Sequence, residues 1–291
     1  MKVSVMIARF PYGGQEHPDV ATWLVGTVQK MKQDPHISEV LHNCYDDTPI
    51  TMTRNRCLRQ ALDMGVDYVL MVDSDMCPDV HSNPRNKGLF LPDAKPFWEG
   101  AFSFALEHNG PCLVAAPYCG PPPDECVYVF HWTRREENDP NVNIRLNMIS
   151  REQAALRSGF EQVAALPTGL ILIDMRGVKQ IPAPWFRYEW KDEHEDEKAS
   201  TEDVYFTRNC SMAGIPNYVY WDAWAGHHKR KCVRKPTPLT ADCVNEQLHE
   251  AIRRGHKAGQ KLVFLGEGKN PLPPPRGELC SHPLPQKSPT P

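Results

Sequence analysis

The sequence predicts an α/β protein with a mostly parallel, Rossmann-like central sheet flanked by helices. Two observations predict it: short continuous apolar runs recur up to Tyr118, and stretches with apolar residues at helical spacing separate them. A strand buried on both faces reads as an unbroken apolar run, and parallel strands need a long crossover between them.

The elements follow in order. "KVSVMIA" (Lys2 to Ala8) is a buried strand, and "DVATWLVGTVQKMKQ" is a helix with Val20, Leu24, Val28 and Met31 on one face and Asp19 as its cap. "SEVLH" is a second strand, and "TRNRCLRQALDMG" a helix whose face is Cys57, Leu58, Ala61 and Leu62, stopped by Gly65. "DYVLMVDSD" is the next strand, "PFWEGAFSFALEH" a helix and "CLVAAPY" a strand. From Cys119 to about Gln162 the pattern weakens to loop signals and a strand at Val127 to Trp132, an insertion or a smaller antiparallel region. "EQVAALPTGLILIDM" holds two strands broken at Pro167-Thr168-Gly169. "KDEHEDEK" (Lys191 to Lys198) is an acidic surface loop, "STEDVYFTRNCSMAGI" a helix, "NYVYW" a strand and "AGHHKRK" a loop. A last helix is expected from Ala241 to His256, followed by a tail too rich in proline to pack. The expected divisions are therefore 1–238 (halves 1–118 and 119–238, divided where the regular alternation weakens), 239–268 and 269–291.

A net charge of −3 gives no general case for nucleic acid as a partner. No apolar stretch reaches membrane-spanning length and the N-terminus does not read as a secretory signal, so a cytoplasmic protein is expected. The ten cysteines are scattered without a CxxC pair, which favours reduced thiols; the sevenfold spacing of Cys112, Cys119 and Cys126 matches no zinc site.

Three stretches carry chemistry. Asp73-Ser74-Asp75 ends an apolar strand on the rim where open α/β sheets bind ligands, along with Ala8-Arg9 and the segment from Asn43 to Asp47. Two acids one residue apart suit a hard divalent cation, with substrate phosphate completing its shell, although the same residues are common turn formers. Ser200-Thr201-Glu202-Asp203 opens a helix, where Ser200 can cap and acids favour the N-terminus; alternatively one acid serves as a general base. In "GHHKRK" the imidazoles can ligate a metal and the cations can face a diphosphate, against the plainer reading of a solvated basic face.

In this order the motifs resemble those of nucleotide-sugar-dependent glycosyltransferases of the GT-A fold, particularly the family-2-like group. The resemblance runs from Met1 to Lys231 through "TRNRCLRQAL", "VDSD", "PTGLILIDMRG", "STEDVYFTRNCSMAGI" and "GHHK". It implies the GT-A fold, with a smaller mixed or antiparallel acceptor-side region, and a metal-dependent transfer of a sugar from a nucleoside diphosphate sugar to a hydroxyl. Mn²⁺ or Mg²⁺ would be held by Asp75, by Asp73 (sharing the ion or touching ribose) and by His227, with His228 as the alternative. Arg54 and Lys229 would face the nucleotide, and Ala8 and Asp46 the base and ribose. Thr168 and Gly169 would approach the donor sugar, and Asp203, with Glu202 beside it, would be the base of an inverting enzyme. Trp185, Tyr188 and Trp190 can stack on a sugar or simply pack, and the acidic loop can close over bound donor. The acceptor, whether glycan, lipid-linked or protein, is not legible. The rival expectations are nucleotidyl transfer and a non-catalytic sugar-nucleotide or glycan-binding protein.

Overall fold

Alternation along one strand sets the layers. In β1 (Val3–Phe10), Val5 and Ile7 join the core on one face of the sheet, while Met6, Ala8 and Phe10 join the core on the other. The first face is covered by α1 (Pro18–Gln33), and the second by α2 (Ile50–Asp63), whose Cys57, Leu58 and Ala61 pack there. Between these helices run β2 (Ile37–Cys44) and, after α2, β3 (Tyr68–Asp73) and the two-residue β4 (Met76–Cys77). Next come α3 (Phe97–Glu107), β5 (Leu113–Ala115), β6 (Phe130–Thr133), β7 (Arg145–Met148), α4 (Arg151–Ala155), β8 (Phe160–Val163), β9 (Leu170–Asp174) and α5 (Met175–Val178). The last described elements are β10 (Glu189–Trp190), β11 (Lys198–Ser200), α6 (Glu202–Met212), β12 (Asn217–Tyr220), β13 (Gly226–His228) and β14 (Cys232–Val233).

This computed structural model describes residues 2–11, 15–46, 48–84, 86–120, 125–133, 145–191, 194, 198–228 and 232–233. Lys229, the expected C-terminal helix, the proline-rich tail and most of the acidic 191–198 stretch lie outside the described residues.

Seven strands form the main sheet in the order β2-β1-β3-β9-β5-β12-β8. Strands β2, β1, β3, β5 and β12 run one way, and β9 and β8 run the other. The sheet is thus mostly parallel, as expected, but its centre is not: β9 sits antiparallel between β3 and β5. The two strands around Pro167 do not pair, because β9 goes to the centre and β8 to the edge beside β12. β6 and β7 make the expected small antiparallel region, and Phe130 bridges to Ala165.

Three local expectations are corrected. The cap of α1 is His17, whose Nδ1 accepts from the Asp19 N–H; Asp19 lies in the first turn, after Pro18 has already set the helical φ. Ser200 ends β11 and donates to Glu189, so the N-cap position of α6 falls to Thr201, which makes no side-chain capping bond. The stretch read as a histidine loop is partly strand, since Gly226 and His227 pair with Cys77 and Met76. Gly65 does end α2, at φ +69, a conformation that glycine adopts without a Cβ penalty. Cys44, Cys57, Cys77, Cys112, Cys119, Cys126 and Cys210 are free thiols, and all but Cys44 and Cys126 are buried. No described helix is long and apolar enough to cross a membrane.

Candidate functional site

Asp73 closes β3 at the carboxyl end of the parallel strands, and the turn after it is held from three sides. The Asp73 N–H donates to the Gly169 carbonyl at 2.8 Å, the Ser74 carbonyl accepts from His17 N–H at 2.9 Å, and the Asp75 carbonyl accepts from His228 N–H at 2.6 Å. Backbone held this way presents its carboxylates with little reorganisation.

The two acids face different partners. Arg54 Nη2 donates to both oxygens of Asp73, at 2.9 and 2.8 Å, and Nη1 donates to Glu202 at 3.0 Å. Expected to face the nucleotide, Arg54 is instead only 3% exposed and lies against the rings of Phe10 and Phe186. Its position follows from helical spacing: Arg54 stands three residues before Cys57 on the buried stripe of α2. Burial pushes the Asp73 carboxyl upward against the pull of Arg54, and burial raises Glu202 in the same way. One guanidinium thus ties the end of β3 to the start of α6.

Asp75 turns instead to β13. Its Oδ2 lies 3.2 Å from Nε2 of His227, an imidazole only 7% exposed whose Nδ1 lies 3.3 Å from the Cys119 carbonyl. A carbonyl can only accept, so Nδ1 carries the proton and Nε2 presents a lone pair to a carboxylate. Two acceptors in contact call for a cation between them, a metal ion or a proton on the ring. The pair fits a divalent metal in donor type and in having its imidazole oriented from behind by a backbone carbonyl. His228, next along the strand, points the other way and meets Asp19 at 2.9 Å.

Asp203 sits in the first turn of α6, beside Glu202. Its Oδ1 accepts from the Val204 N–H at 2.8 Å and from the Thr201 hydroxyl, which aims the carboxylate. It is close enough to act electrostatically on Arg54, Asp73 and the buried Tyr118.

Other expected residues are placed differently. Ala8 is fully buried between β2 and β3 and offers no side-chain surface, while Asp46 lies exposed beyond the end of β2. Thr168 is fully buried with its hydroxyl unpartnered. The close approach at Gly169 is made by the protein itself, since a Cβ there would lie 2.8 Å from the Tyr118 hydroxyl and 3.0 Å from the Met76 sulfur. Trp185 is packed, its indole donating to Ile181, whereas Tyr188 and Trp190 are half-buried under the ammonium of Lys198. His17, Tyr118 and the Cys119 carbonyl escape the sequence reading, because each meets the rim only through hydrogen bonds to residues distant in the chain.

The molecule is therefore an α/β protein with a charge-dense rim, two acids and an imidazole at its centre, at the carboxyl ends of its parallel strands. No family model matches the chain, and no curated protein matches it. Among solved structures it is similar to A197 from STIV, at 17% identity and TM-score 0.45, covering 82% of this chain and 97% of that one. It is also similar to GalNAc-T7 solved with UDP, GalNAc and Mn²⁺ (8% identity, TM-score 0.39, 79% of this chain and 44% of that one). A third is an apo UDP-glucose pyrophosphorylase (10% identity, TM-score 0.40, 89% and 100%). At these identities the likeness concerns the course of the chain alone.

Proposed function

We propose that this protein is a metal-dependent glycosyltransferase of the GT-A type, moving a sugar from a nucleoside diphosphate sugar to a hydroxyl acceptor. The observation that carries the reading is the facing pair of Asp75 Oδ2 and His227 Nε2, 3.2 Å apart, with Asp203 on the same rim. Asp75 and His227 would hold Mn²⁺ or Mg²⁺, and such an ion, when bound, supplies positive charge beside a diphosphate leaving group.

The rest is the work of the chain's own residues. Asp203, held at Oδ1 by Val204 N–H, would accept the proton of the attacking hydroxyl, so that the acceptor oxygen approaches the sugar as an alkoxide develops. Glu202 and Asp73 brace Arg54 from two sides and keep that guanidinium from moving. Asp73 is therefore assigned as the anchor of Arg54, and direct metal binding is left to Asp75. Tyr188 and Trp190, half-buried near α6, offer ring faces to a sugar.

A panel of nucleoside diphosphates with and without Mn²⁺, read by thermal shift, tests the binding half of the proposal, because a ligand that binds only the folded chain raises its apparent stability. A stabilisation that needs both nucleotide and Mn²⁺ is expected. Stabilisation by nucleotide equally strong in EDTA would overturn it.

A further inference from the structure

On the opposite face of β13 from His227, a second group of ligating side chains meets. His17, Asp19 and His228 bring one donor atom each to within 4.8 Å of one another. Asp19 Oδ2 lies 2.9 Å from His228 Nε2 and 3.5 Å from His17 Nδ1, and the two imidazoles stack with centroids 3.5 Å apart. For a tetrahedral ion with metal–nitrogen bonds of about 2.0–2.1 Å, neighbouring ligand atoms stand about 3.3 Å apart. Both separations from Asp19 bracket that value.

Further contacts gather on the same carboxylate. His17 Nδ1 accepts from the Asp19 N–H at 3.2 Å, and the Cys77 Sγ lies 3.2 Å from Asp19 Oδ2, the oxygen that both imidazoles approach.

We infer that His17, Asp19 and His228 form a transition-metal site of Zn²⁺ type, separate from the Asp75–His227 pair. Two imidazoles and one carboxylate suit zinc better than Mg²⁺, which prefers oxygen alone. The site joins the N-terminus of α1 to β13, and these are the two segments whose backbone N–H groups grip the Ser74 and Asp75 carbonyls. Occupancy therefore stiffens the turn that carries Asp75, without touching it. The inference does not depend on the proposed reaction, since metal binding is measured with neither nucleotide nor sugar.

The test uses the full chain, stripped with EDTA and titrated with Co²⁺ as a visible probe and Zn²⁺ by thermal shift, in an Asp75→Ala background that removes the other pair. His17→Asn keeps an acceptor for the Asp19 N–H and the helix cap while deleting the imidazole; His228→Gln does the same from the strand. One equivalent of Co²⁺ with d–d absorption is expected in the Asp75→Ala protein, weakened at least about tenfold by either further substitution, as is usual on losing a metal-supporting group. Zn²⁺ should raise the melting temperature of the Asp75→Ala protein and not of the His17→Asn derivative. Equal Co²⁺ affinity and equal Zn²⁺ stabilisation with and without the two histidines would overturn the site. Should His17→Asn not fold in EDTA, the His228→Gln comparison decides alone.

Discussion

Arg54 holds both carboxylate oxygens of Asp73 with a single nitrogen, Nη2, while its second nitrogen holds Glu202. The guanidinium side chain is 4% exposed, so removing it strands two acids in a site already unfavourable to charge. Replacing Arg54 by Met should cost about 3–5 kcal/mol in urea unfolding, the range for breaking a buried pair by removing one partner. Burial raises the pKa of both acids while Arg54 pulls them down, so removing Arg54 raises both further, and the variant loses more stability than the native chain as pH rises through the folded pKa values. The deficit of Arg54→Met should therefore be larger near pH 8 than near pH 5. A deficit independent of pH would mean that the acids are not the stranded groups.

Asp75 and His227 are expected to act together on metal and differently on fold. Asp75→Ala should weaken Mn²⁺-dependent nucleotide binding by on the order of 10–100-fold or more, and His227→Ala by a similar factor. The double variant should lose little beyond the single ones, because residues sharing one ion are not additive. Calorimetric titration of nucleoside diphosphate with Mn²⁺ checks this, and undiminished Mn²⁺-dependent affinity in Asp75→Ala would contradict the metal assignment.

Asp79 gives a pH test away from the rim. Its half-buried carboxylate accepts from Phe97 N–H at 2.7 Å and from the Trp23 indole at 2.6 Å, yet desolvation outweighs both and pushes its pKa up to about 6 from 3.8. A raised carboxyl contributes stability that is full below about pH 4 and lost as pH rises through about 6. Asparagine tolerates the positive φ of 55° at this position and does not titrate. The stability of the native chain relative to Asp79→Asn should therefore fall by about 1–3 kcal/mol between pH 4 and pH 7. A difference that grows over that interval would show the carboxyl to be depressed instead.

Much of this architecture is legible in the sequence, and the parts that are not have a common cause. The alternation of β1, α1, β2, α2 and β3 can be read because each apolar period is local. An apolar run carries no direction, so nothing in "GLILID" announces that β9 enters antiparallel between β3 and β5. Arg54 could have been found at the head of the buried stripe by stepping back three residues from Cys57, but a charged residue on a helix reads as surface. The separate fates of His227 and His228 follow from strand alternation, and that became visible only once β13 was seen to pair with β4. Residue type marks Asp75 and Asp203 only as one acid of each pair, and the resemblance of the motif series picks them out; their environments come from contacts distant in the chain.

The most direct test of glycosyl transfer is the identity of the released nucleotide. The full chain, incubated with Mn²⁺ and a panel of nucleoside diphosphate sugars, should release nucleoside diphosphate, and replacing Asp203 by Asn should slow that release by roughly 10²- to 10⁴-fold while sparing Mn²⁺-dependent nucleotide binding. Pyrophosphate exchange with sugar phosphate, or diphosphate release at the same rate in Asp203→Asn and Asp75→Ala, would contradict it.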